Sequence, residues 1–215
     1  MIENLKLSSG NVKPAKIVMD LIEELKSERK KIIVAEIGVG WGATAVEIIK
    51  LLSKEDEYWF FDFDASVEAL YNDLSKINEN EVWLRAYGNS QRYLDSYAWN
   101  LAKLLGDKEH SAEFDLVYLD GAHTFMHDGI TVCILKEMIS VGGYLVLDDV
   151  NWSQAKSPTC NPDVNPSVLN CYTLEQIETC QIEMVKNLFL DTDERYEEIN
   201  PENSKRRAVF KRIVR

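Results

Sequence analysis

"VAEIGVGWGATAVEII", residues Val34 to Ile49, begins as an apolar run, ends as an amphipathic one, and sets Gly38, Gly40 and Gly42 between the two. That order of residues spells a short buried strand, a sharp turn and a helix. Glycines in such a turn let the backbone bend tightly and approach a ligand closely, while the following helix presents free N–H groups. About twenty residues later Asp62 stands near the end of the next strand-like run, "EYWFFDFD", where a carboxylate can accept hydrogen bonds from ribose hydroxyls.

The alternation of strand and helix continues on both sides of this turn. "PAKIVMDLIEELK", from Pro14, carries Ile17, Val18, Leu21, Ile22 and Leu25 on one helical face, and "KKIIVAEIG" is the strand that enters the turn. "ATAVEIIKLLSK" predicts a helix, and "SVEALYNDLSKI" another with Ser66 as its N-cap. "EVWLRAYG" predicts a strand, Tyr93 to Leu105 a helix, "FDLVYLD" a strand and "ITVCILKEMI" a helix. "GYLVLDDV" is a fifth strand, entered from a Gly142-Gly143 turn. Strands apolar on both faces and joined by helices indicate a parallel sheet covered on both sides, a doubly wound, Rossmann-like α/β domain.

Beyond Val150 the pattern changes. "NWSQAKSPTCNPDVNPSVLNC" holds three of the five prolines and has no periodicity, so 151–172 is expected to be a lid or substrate loop, with Asn151 and Trp152 at its start. Thr173 with Gln176 predicts a capping box that opens a helix through about Leu188. "YEEIN", a turn at "PENS" and "KRRAVFKRIV" predict a final antiparallel pair. The expectation is one domain over 1–215, with an N-terminal helical segment (1–30) and a mostly parallel seven-stranded sheet.

Composition narrows the function classes. Apolar residues make up 46% and charged residues 28%, and the net charge is −12. An acidic surface repels nucleic-acid backbones and anionic lipids, so neither nucleic acid nor membrane is an expected partner. The basic C-terminal cluster (Lys205, Arg206, Arg207, Lys211, Arg212, Arg215) alternates with apolar residues and reads as a solvated strand face. No apolar stretch approaches a membrane span, and the N-terminus lacks a signal-peptide layout. Cys133, Cys160, Cys171 and Cys180 form no CxxC pair, consistent with reduced thiols in a cytoplasmic protein rather than a zinc site.

Carboxylates gather at the predicted strand ends: Asp120 ends the fourth strand, Asp148 and Asp149 the fifth. Ligands of open α/β sheets bind beyond these ends, and adjacent strand tips lie roughly 5 Å apart. Three carboxylates in one volume call for a hard cation such as Mg²⁺ or Mn²⁺. Asp148 and Asp149 point opposite ways within a strand, so one must lie past its end to share that cation. His123, three residues after Asp120, is positioned to take a proton from a metal-bound hydroxyl. Its alternatives are a metal-ligand role, with His127 four residues on, or a surface one. His127 is expected to be a bystander and His110 solvated.

"EIGVGWG", "DFD", "DLVYLDGAH" and "GGYLVLDDV", in this order, resemble the class I S-adenosylmethionine (SAM)-dependent methyltransferases. In particular they resemble the metal-dependent sugar O-methyltransferases of the macrocin type, from about Lys31 to Trp152. The resemblance implies that Glu36, Gly38, Gly40, Gly42, Asp62, Asn89, Ser90 and Asp120 bind SAM. It also implies that Asp120, Asp148 and Asp149 hold a divalent metal and that His123 is the general base. In "YGNSQ" such families often carry an acid before the serine, and this chain has Asn89. A small-molecule or sugar acceptor is the implied partner, and a homo-oligomer is admitted. Three alternatives stand beside it: an NAD-linked oxidoreductase, because Gly38-x-Gly40-x-x-Ala43 partly meets the dinucleotide fingerprint; a catechol-type O-methyltransferase; and a non-catalytic binding module.

Overall fold

The computed structural model describes residues 13–92, 94–107, 112–199 and 206–214. His110, Tyr93, the "PENS" turn, Lys205, Arg215 and the first twelve residues lie outside the described residues.

The elements run α1 (Lys16–Glu28), β1 (Ile33–Ile37), α2 (Ala43–Leu51), β2 (Glu57–Phe63), α3 (Asp64–Ile77), β3 (Trp83–Asn89), α4 (Tyr97–Gly106) and β4 (Phe114–Leu119). They continue with α5 (Phe125–Met138), β5 (Ile139–Leu147), α6 (Leu174–Glu178), α7 (Gln181–Phe189), β6 (Tyr196–Glu198) and β7 (Ala208–Arg212). The seven strands form one sheet in the order β3-β2-β1-β4-β5-β7-β6. The first five pair in parallel, and β7 pairs antiparallel with both β5 and β6. The expected seven-stranded, mostly parallel fold with a C-terminal antiparallel pair is therefore present.

Two apolar layers sandwich the sheet. Val34, Leu116, Tyr118 and Val146 pack against α1, α2 and α3 on one face. Ala35, Val117, Leu119, Leu145 and Leu147 pack against α4, α5 and α7 on the other. Every residue of β4 is buried, as a central strand covered on both faces requires. Each aliphatic side chain buried there contributes about 1.5–3 kcal/mol. Strand order reverses between β1 and β4, where the first crossovers leave in opposite directions, and a crevice opens at the carboxyl ends of these strands.

Several local expectations need correction. Helix α3 begins at Asp64, so Ser66 lies inside it and caps nothing. Helix α5 begins at Phe125, five residues earlier than Ile130, because the Thr124 side chain accepts from the His127 N–H and caps it. Strand β5 begins at Ile139, so Gly142 and Gly143 are inside the strand; Gly142 has φ +79°, and the pairing with β4 shifts register there. The Thr173–Gln176 capping box is present, but the helix it opens ends at Glu178 and a second starts at Gln181. No helix among the described residues is long and apolar enough to cross a membrane.

Candidate active site

The glycine turn follows β1 at the reversal point. Gly38, Gly40 and Gly42 all have positive φ (84°, 47° and 78°), which only glycine adopts without strain. They do different things. A Cβ on Gly38 would sit 2.0 Å from the Asp120 carbonyl oxygen, so this glycine lets β1 and β4 end side by side. A Cβ on Gly40 would meet no protein atom within 4 Å; it would project into open cleft. Gly42 occupies the N-cap of α2 and lines neither cleft described below.

A cleft of about 440 Å³ lies on one side of this turn. Gly38, Gly40, Asp62, Asn89, Tyr97 and Asp120 are in its wall. Asp62 accepts from the Val39 N–H at 2.8 Å and the Phe63 N–H at 2.6 Å, which ties the end of β2 to the glycine turn. Asn89 is buried, and its Oδ1 has no hydrogen-bond partner in the protein. An orphaned buried acceptor costs free energy unless a ligand supplies a donor. Ser90 does not line the cleft. Its N–H and hydroxyl both bond the Asp95 carboxylate at 2.7 Å, and Asp95 does line it. A carboxylate thus reaches Ser90 from five residues beyond it, a distance that motif spacing does not reveal. Tyr172, at the end of the 151–172 loop, also reaches this wall.

A second cleft, of about 580 Å³, opens on the other side and shares Gly40 and Asp120 with the first. Glu36 belongs to this second wall. It is fully buried, accepts from the Tyr58 hydroxyl, and is pushed up to about 8, chiefly by burial. At neutral pH it is therefore mostly protonated.

Asp120 stands where the clefts meet. Burial, then repulsion from Asp148 and Asp149, pushes it up to about 6 even though the His123 charge acts the other way. Strand β5 ends at Leu147, directly beside Leu119, so the two acids after it arrive next to Asp120. Asp149 has φ +53° and turns toward Asp120, as does His123 with φ +55°. His123 Nε2 is 3.6 Å from Asp120 Oδ1 and 3.7 Å from Asp149 Oδ2. One ligand atom from each of Asp120, His123 and Asp149 falls within 4.8 Å of the others; among the described residues this is the group suited to a metal ion. The Trp152 ring lies 5.4 Å from the His123 ring, tilted by 54°.

Asp148 is not in that group. Its carboxylate is fully buried, accepts from the Tyr118 hydroxyl, and is held by Arg206 Nε at 2.9 Å and Arg207 Nη2 at 2.9 Å. Burial alone would raise its pKa, but the Tyr118 hydroxyl and the two guanidinium charges outweigh this and lower it. Arg206 Nε also reaches Asp149 Oδ1 at 2.8 Å, and Tyr118 Oη lies 3.1 Å from Asp120 Oδ2, so all three acids belong to one network. Arg206 and Arg207, expected on a solvated strand face, are thus both paired with Asp148; Arg206 stays largely exposed while Arg207 turns in. Antiparallel pairing of Leu147 with Ala208 carries the residues before β7 alongside those after β5.

The loop bearing His123 is anchored from below. The Tyr97 hydroxyl donates to Asp128 and accepts from the Ala122 N–H at 3.0 Å, while Asp128 accepts from the Thr124 N–H at 3.0 Å. Neither Tyr97 nor Asp128 stands out in the sequence. His127 bonds Thr124 Oγ1 through Nδ1 at 2.8 Å and is outside the metal-suited group.

The profile of a family described as "Methyltransferase domain" matches residues 35–150. That match displaces the nicotinamide alternative. No curated protein matches the chain. Similar solved structures include the O-methyltransferase TomG of Streptomyces achromogenes, involved in tomaymycin synthesis and solved with SAM. Its TM-score is 0.60 at 15% identity, covering 94% of this chain and 82% of that one. An O-methyltransferase of Bacillus cereus with S-adenosylhomocysteine (SAH) gives 0.61 at 10% identity, covering 97% and 86%. The SAH-bound methyltransferase PaMTH1 of Podospora anserina gives 0.59 at 14%, covering 98% and 86%.

Proposed function

The chain belongs to this methyltransferase-domain family, and from that premise we propose that it transfers the methyl group of SAM to a hydroxyl of a sugar or other hydroxylated small molecule, with a divalent metal assisting. The observation that carries the proposal is Asp120, which lines both clefts and has His123 and Asp149 beside it.

The first cleft fits the methyl donor. The orphaned Asn89 Oδ1 suits an amino donor such as that of adenine, Asp62 stands where ribose hydroxyls are read, and Gly40 leaves room for a close approach. Asp62, Asp95 and Asp120 give its wall an acidic character suited to a sulfonium cation. The group fits a hard divalent cation, because Asp120 and Asp149 each bring a ligand oxygen within 4.8 Å of the other beside His123, and Asp120 is raised to about 6 by its burial and its acidic neighbours. Asp120 and Asp149 would hold such an ion, with Asp148 linked to them through Tyr118 and Arg206. When bound, the ion would lower the pKa of an acceptor hydroxyl and orient it.

In the transfer an O–CH₃ bond forms as the S–CH₃ bond breaks, leaving SAH, a methyl ether and one proton. His123 is assigned the proton. The imidazolium so formed would face Asp120 and Asp149, both within 3.7 Å, which compensates its charge. Its ring is steadied by Trp152 on one side and by the Tyr97–Asp128 anchor beneath the loop.

His123→Ala should lower turnover by about 10²- to 10⁴-fold with SAH affinity within twofold of wild type, read by steady-state kinetics and calorimetry. Equal loss of both would assign His123 a structural role. Activity should vanish in EDTA and return with Mg²⁺ or Mn²⁺, and full activity in chelator would remove the metal from the scheme.

A further inference from the structure

We propose that the acceptor is an anion: a hydroxylated small molecule that also carries a phosphate- or carboxylate-type group, held in the second cleft by Lys13, Lys16 and Arg206. The inference rests on the methyltransferase reading and names the class of molecule it acts on.

The two clefts meet at Gly40 and Asp120 but differ in the sign of their walls. The first is lined by three carboxylates (Asp62, Asp95, Asp120) and one guanidinium (Arg92). The second is lined by four cations (Lys13, Lys16, Arg206, Arg207), two carboxylates (Asp120, Asp148) and the mostly protonated Glu36. A cationic surplus is unexpected on a chain with net charge −12. A wall of opposite sign in the adjoining cleft selects a ligand of opposite charge, because low-dielectric walls focus the field of the groups that line them. The methyl donor suits the acidic cleft, so the basic one is left for the acceptor.

The cations differ in how free they are to bind. Lys16 is engaged by Asp20 at 2.7 Å, but with side chains 85% and 48% exposed, such an i,i+4 pair is easily exchanged for a ligand. Lys13 is exposed and precedes it on the same rim. The Arg206 side chain is 58% exposed and commits Nε and one terminal nitrogen to Asp148 and Asp149, leaving the other, Nη1, outside these bonds. Arg207, turned in onto Asp148, builds the wall. Ala43 and Thr44, the first turn of α2, complete that side with the positive end of a nine-residue helix. Trp41, 51% exposed, offers an aromatic face at the mouth. An anion bridging Lys13, Lys16 and Arg206 would lie on the same side of Asp120 as Asp148, leaving the rest of the molecule to present its hydroxyl to Asp120.

The test is calorimetric titration of the full chain, saturated with SAH at low salt, with inorganic pyrophosphate in one arm and succinate in another. We expect at least one anion to bind, the two arms separating phosphate from carboxylate recognition. Lys13→Ala/Lys16→Ala should weaken that binding at least tenfold and leave SAH affinity within twofold. In a labelled-methyl assay, a sugar 1-phosphate or a sugar acid should exceed the neutral sugar in kcat/KM, and the gap should narrow in the double variant. SAH binding with no anion binding would overturn the inference alone, as would anion binding indifferent to the two substitutions. A fall in SAH affinity equal to the fall in anion affinity would assign the lysines to the donor's own carboxylate and overturn it too. Failure of SAH to bind would overturn the methyltransferase reading and this inference with it.

Discussion

Tyr97→Phe isolates the anchor beneath the His123 loop. It removes one oxygen and leaves the ring in place. That oxygen donates to Asp128, whose carboxylate is buried, and accepts from Ala122 at 3.0 Å. The exposed Ala122 can turn its N–H to water, so the main cost is the Asp128 carboxylate left short of a donor. One buried polar group left unsatisfied costs about 1–3 kcal/mol. With a urea slope of about 2 kcal/mol per molar, the midpoint should fall by about 0.5–1.5 M. The cost should also depend on pH in a definite direction. Asp128 is raised from its ordinary value, first by burial, against which the Tyr97 hydrogen bond, the His123 charge and the Thr124 N–H act. Removing Tyr97's hydroxyl removes the foremost of these opposing contacts and raises Asp128 further. A group whose folded pKa lies above its unfolded value keeps its stabilisation at low pH and loses it as pH rises through the folded value. The deficit of the variant should therefore be smaller at pH 5 than at pH 8, as followed by tryptophan fluorescence in urea. A midpoint unchanged at both pH values, or a deficit that shrinks as pH rises, would refute the anchor.

Further outcomes follow from the same geometry. Glu36, pushed up to about 8 by burial, should draw stability from the structure as it ionises, so melting temperature should decline as pH rises through 8. Glu36→Gln should flatten that decline, checked by thermal melts from pH 6 to 9.5. Gly38→Ala should destabilise by about 3 kcal/mol or more, since its Cβ would sit 2.0 Å from backbone at φ +84°. Gly40→Ala meets no protein atom, so its stability cost should be limited to about 1–2 kcal/mol of positive-φ strain. It should instead weaken SAH binding at least tenfold; calorimetry and urea melts on the pair separate the two roles.

What the chain makes legible by itself is whatever local rules control. Period-two and helical apolar patterns gave the order of strands and helices, and three glycines between β1 and α2 marked the tight turn that borders both clefts. Asp120, His123 and Asp149 were legible because strand ends are where open sheets bind ligands, and β4 and β5 are neighbours. Boundaries failed where a side chain overrode the pattern, as when Thr124 capped α5 five residues early. Partners distant in sequence were out of reach. Asp95 reaches Ser90 through a loop closure, and Tyr97 meets Asp128 only because α4 and α5 pack together. The fate of Asp148 was decided by the sheet edge. Antiparallel pairing of β7 with β5 delivers Arg206 and Arg207 to that carboxylate, while the positive φ of Asp149 turns the adjacent one toward His123. Alternation along a strand says that two successive acids diverge; which of them meets which charge depends on the strand that lies alongside.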